Sequence, residues 1–96
     1  MDAAAKVANL QAYLKLVGMN PLSKRDAKDA EEAEYLVLYS ARDDMDKFIV
    51  AHFVKNFHTA ECMVEWEIYG RVRVINLSDS SVVVEKQRPY YPVKGL

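Results

Sequence analysis

A chain of 96 residues with 51% apolar side chains and only three glycines and three prolines has the composition of a folded domain, which excludes extended disorder. Its single cysteine excludes an intramolecular disulfide, and its longest apolar runs, about five residues, fall far short of the roughly 18 needed to span a membrane. Formal net charge is −1, so there is no global basic field to draw the chain to nucleic acid.

The length predicts one α+β domain over residues 1–96. The first residues lack the basic segment and long apolar run of a signal peptide. Together with the lone Cys62 this points to a reducing, cytoplasmic setting, or to the host cytoplasm if the chain is phage- or virus-encoded. Charge is unevenly spread. Residues 26–46 hold eight acids against Lys28 and Arg42, whereas residues 86–96 hold Lys86, Arg88 and Lys94 with no acid. Such a dipolar distribution bears on steering and self-association more than on fold.

In chain order, Asp2 to Val17 reads as a helix, capped by Asp2 and ended by Gly18. Its apolar stripe runs through Ala3, Val7, Leu10, Leu14 and Val17, with Tyr13 and Leu16 widening one flank. Asn20-Pro21 breaks the chain, and Ser23 with Asp26 three residues later opens a second helix, completing an αα-hairpin.

The run Tyr35-Leu36-Val37-Leu38-Tyr39 fits either a helix end or a buried strand; the lack of Gly or Pro from Ser23 to Ser40 favours helix. Asp43 and Asp44 then suit the cap of a third, core helix from about Met45 to Phe57, with Met45, Phe48, Ile49, His52, Phe53 and Phe57 inward.

From Glu61 the period changes to two. Cys62, Val64, Trp66 and Ile68 alternate with Glu61, Met63, Glu65 and Glu67, the pattern of a half-buried strand. A three-residue turn, Tyr69 to Arg71, leads into Val72-Arg73-Val74 and pairs Ile68 with Val72 and Glu67 with Arg73. Val74-Ile75 breaks the alternation, which predicts a β-bulge or a stretch covered on both faces. A last strand spans Val82 to Lys86, and residues 87–93, with Pro89 and Pro92, form an extended arm. The expected fold is an N-terminal αα-hairpin and a core helix on one face of a three-stranded antiparallel β-meander.

Chemistry is sparse. Cys62, His58 and Glu65 are the only nucleophile-and-base set, at a spacing that matches no catalytic pattern, and Cys62 reads as a buried structural thiol. His52 and His58 would lie on different faces of one helix, so no metal site converges, and His52 reads as a core histidine. The isolated glycines Gly18, Gly70 and Gly95 form no phosphate loop. Catalytic, cofactor and metal residues are therefore expected to be absent.

Two binding readings compete. Tyr90 and Tyr91 on the proline-stiffened arm, with Arg71, Arg73 and Arg88, suit contact with a second subunit or another protein. The same arginines with Lys86, Lys94 and the two tyrosines would also suit single-stranded nucleic acid, although Glu65 and Glu67 share the arginine face. The leading expectation is a non-enzymatic, self-associating interaction module of the adaptor, inhibitor or phage-accessory kind. Nucleic-acid binding and a small-ligand or catalytic site between subunits are the alternatives.

Overall fold

The computed structural model describes residues 2–41, 44–66 and 70–88. In these, the order of elements is α1 (Ala3–Leu16), α2 (Lys24–Glu32), β1 (Tyr35–Ser40), β2 (Phe48–Val54), α3 (Phe57–Trp66), β3 (Gly70–Asn76) and β4 (Ser81–Arg88). The class is α+β, as expected, with an antiparallel sheet ordered β2-β1-β3-β4.

The αα-hairpin forms for the reasons its residues suggest. The Asp2 carboxylate accepts the Ala5 N–H at 2.8 Å, and the Ser23 hydroxyl accepts the Asp26 N–H at 3.1 Å, so each side chain satisfies an orphan donor of its helix. Gly18, at φ 82°, ends α1 in the left-handed region. The Gln11 side chain then accepts the Leu22 N–H, and Lys6 Nζ donates to the Glu31 and Ala33 carbonyls at the C-terminal end of α2. Leu10 and Leu14 carry the burial on α1, whereas Leu16 faces solvent instead of widening the apolar flank.

Residues 35–39 are a strand and not the end of α2. Ala33 leaves the helix at ψ 156°, and β1 follows directly. Leu36 and Leu38 join α1, α2, Phe48, Ile75 and Leu77 in one core; Val37 joins Val54, Ala60, Val64, Val72 and Val74 in another. An uninterrupted apolar run is what a central strand covered on both faces requires. Helices therefore pack on both faces of the sheet, with α1 and α2 on one and α3 on the other, correcting the one-sided expectation.

The expected core helix over 45–57 is the strand β2, and the expected strand from Glu61 is the helix α3. Phe48, Ile49, Val50, Phe53 and Val54 are aromatic or β-branched and fit a pleated surface better than a helix. For α3 the signal is its cap. Asn56 Oδ1 accepts both the Thr59 N–H, at 2.8 Å, and the Thr59 hydroxyl, at 2.9 Å. Ala60 and Val64, one turn apart, are buried, with Met63 partly so beside them; Trp66 is 76% exposed, so the two-residue alternation had no structural meaning.

The sheet consequently has four strands and is not a meander. Because β1 is antiparallel to both β2 and β3, those two run parallel, joined by a crossover that contains α3. Arg73 pairs with Leu38 on one side and Glu85 on the other, replacing the expected partner Glu67, which lies outside the described residues together with Ile68. The register shift between Val74 and Ile75 against β4 and the burial of both residues agree with the break in alternation there.

Candidate functional site

Alternation along β3 sends Val72 and Val74 toward α3 and sends Arg71, Arg73 and Ile75 toward the αα-hairpin. The two arginines, expected to lie on an exposed face, are brought together and are half-buried, with Arg73 only 15% exposed along its side chain. Glu85, opposite Arg73 on β4, accepts from Arg71 Nε, from Arg73 Nε at 3.1 Å and from Arg73 Nη2 at 3.2 Å. Arg73 Nη1 donates to the Tyr13 hydroxyl at 2.8 Å. Both guanidinium groups stand over the Phe48 ring, at 5.3 and 5.0 Å from its centroid.

Electrostatics follow this geometry. Partial burial alone would raise the Glu85 pKa, but hydrogen bonds and charge from Arg73 and Arg71 outweigh it and hold the carboxyl below its ordinary value. Burial of Arg73 opposes its charge, and Glu85 and Tyr13 more than restore it, so the group stays cationic. Two cations thus share one anion, and both are committed to contacts inside the molecule. Glu85, Tyr13 and Phe48 escaped sequence reasoning because each reaches the arginines from a separate element.

Of the other expected binding residues, Arg88 ends β4 opposite Gly70, and Tyr90 and Tyr91 lie outside the described residues. Lys86 pairs with Glu65 of α3 at 3.5 Å. On α3, His58 and Cys62 sit one turn apart with Sγ and Nε2 at 3.7 Å; the thiol is half-buried, not enclosed. His52 is exposed on β2, its ring edge-on to Tyr39 with centroids 5.6 Å apart, correcting its reading as a core histidine. Among the described residues no three His, Cys, Asp or Glu side chains converge on a metal position. None of the described helices is long and apolar enough to cross a membrane.

The surface that sequence reasoning missed is the outer edge of β2. Phe48 to Val54 is seven consecutive residues without Asp, Glu, Lys or Arg on a sheet edge, with Ile49 53% and Val50 39% exposed. Beside it, a cleft of about 460 Å³ opens between the α1–α2 loop and β2, lined by Leu14, Phe48, Ile49 and Ala51 and by the polar side chains of Asn20, Asp26 and Lys47. The other edge, β4, also exposes Val82 and Val83 but continues into Glu85 and Lys86, charges of the kind that blunt an open edge.

The chain matches no family model, no curated protein and no solved structure.

Proposed function

We propose that the protein is a small non-enzymatic interaction module that associates with itself and binds another protein through surface complementarity. The observation that supports this reading is the outer edge of β2, free of Asp, Glu, Lys and Arg, where exposed Ile49 and Val50 adjoin a cleft of mixed polar and apolar lining. An open edge strand presents a row of unpaired backbone donors and acceptors, and proteins ordinarily guard such edges with charge, proline or a covering segment. Phe48 to Val54 contains no Asp, Glu, Lys, Arg or proline.

Nucleic-acid binding has weaker support, because Arg71 and Arg73 are already engaged by Glu85, Tyr13 and Phe48. Freeing them for phosphate would give up charge-assisted hydrogen bonds inside the fold.

Light scattering across a size-exclusion peak, with the 260/280 nm absorbance ratio recorded, tests the reading. The expected result is a multiple of the 11.0 kDa chain mass with a protein-like ratio. A monomer at every concentration tried overturns self-association. A raised ratio that falls in high salt transfers the function to nucleic acid.

A further inference from the structure

We infer that β2 pairs antiparallel with β2 of a second copy about a two-fold axis at Ala51, making one continuous sheet across both chains. This rests on the self-association proposed above and specifies its surface.

Symmetry restricts the choices. A two-fold axis normal to the sheet keeps the αα-hairpins of both copies on one side, and directly opposite residues of antiparallel strands project to the same side. Opposite residues must then have the same parity, so the axis passes through a residue position. Centring on Ala51 makes opposite residue numbers sum to 102, which pairs Ile49 to Phe53 on matching faces; Phe48 and Val54, opposite in number, project to different faces because of the irregularity at Ile49. Centring on Val50 or His52 brings Lys47 or Lys55 opposite an apolar residue within the ladder, which the Ala51 register avoids.

The pairs in the Ala51 register are chemically compatible. Val50 faces His52 of the second copy, on the α3 side of the sheet. On the other side, Ala51 faces its own equivalent and Phe53 faces Ile49, which walls the cleft. The irregularity of the β1–β2 pairing between Tyr39 and Ser40 leaves Ile49 as the extra residue on β2 and turns it, with Phe48, toward that cleft. Like charges meet only at the two ends, where Lys47 faces Lys55 and both are exposed. Registers that centre β4 on its charged half do worse. Centring on Glu85 or Lys86 puts that charge against itself, and centring on Val84 puts Glu85 opposite Val83.

Salt then separates this contact from nucleic-acid binding. Screening the two terminal lysine pairs strengthens self-association as ionic strength rises, whereas phosphate contacts weaken.

Directly opposite residues of an antiparallel pair have Cα atoms about 4.5–5.5 Å apart, within disulfide reach. The test is Ala51→Cys in a Cys62→Ser background, oxidised at low concentration, read on a non-reducing gel and by mass, beside Val83→Cys in the same background. Circular dichroism of both reduced variants establishes that they fold. A covalent dimer from Ala51→Cys but not from Val83→Cys is the expected result. A wild-type dimer whose folded Ala51→Cys variant does not cross-link overturns the β2 pairing and leaves self-association standing. A wild-type monomer overturns both. Loss of self-association on removing residues 89–96, with the Ala51→Cys cross-link also lost, assigns the contact to that segment and overturns the inference.

Discussion

Arg73 Nη1 donates to the Tyr13 hydroxyl across 2.8 Å, joining β3 to α1 between residues sixty positions apart. With Glu85 on the other side of the guanidinium, the contact ties α1, β3 and β4 together on the face that the αα-hairpin covers. The side chains that looked most suited to gripping a ligand thus hold the fold together.

That arrangement sets an acid limit on stability. The Glu85 carboxyl is held below its ordinary 4.5 in the folded chain, so the folded state resists protonation more than the unfolded state does. Its contribution is complete above about 4.5 and is lost as pH falls through the lower folded value. Glu85→Gln is expected to cost about 1 kcal/mol at neutral pH and to flatten the decline in urea midpoint below pH 4.5. An acid limb as steep in the variant as in the wild type would contradict the role given to Glu85.

Three successive positions of β1 are intolerant of change for two separate reasons. Leu36 and Leu38 fill the core under the αα-hairpin, and Val37 fills the core under α3. Leu38→Ala is expected to cost about 2–5 kcal/mol, and Val37→Asp, burying an unpaired charge, to prevent folding. Chemical denaturation decides this; a stable, folded Val37→Asp variant would mean that α3 does not cover the sheet.

The two described glycines differ in what surrounds them. Gly18 (φ 82°) has nothing within 4 Å of an added Cβ, whereas at Gly70 (φ 95°) a Cβ would come within 3.2 Å of the Ser40 hydroxyl, which accepts the Arg71 N–H. Gly18→Ala is expected to cost about 1 kcal/mol from backbone conformation alone, and Gly70→Ala more, about 2 kcal/mol. Equal thermal shifts in the two variants would remove the Ser40 contact as a cause.

Trp66, the chain's only tryptophan, stands 76% exposed at the end of α3. Native emission is expected to be red-shifted and quenched by iodide nearly as well as in urea. A blue, protected emission would show that another surface covers it.

The sequence was readable where local signals agree. Asp2, Gly18 and Ser23 mark both hairpin helices, and the broken alternation at Val74-Ile75 marks the bulge. It misled where two periods coincide. Phe48, Ile49, His52 and Phe53 satisfy a helical spacing by chance, although their β-branched and aromatic character suits a strand. Cys62, Val64 and Trp66 alternate by chance on a helix whose real signal is Asn56. In the candidate site, Arg71 and Arg73 were identifiable as notable residues, but their partners Tyr13, Phe48 and Glu85 come from three other elements. The β2 edge was hidden by its assignment to a core helix, since edges exist only once strand order is known.

The most direct test of the β2 edge as the working surface is sedimentation velocity over a concentration series for wild type, Ile49→Lys and Val83→Lys. Both positions are exposed on edge strands, so either lysine should leave the fold intact. Self-association weakened at least about tenfold by Ile49→Lys and unchanged by Val83→Lys is the expected result. Wild-type association that survives Ile49→Lys, or is lost only in Val83→Lys, would contradict it.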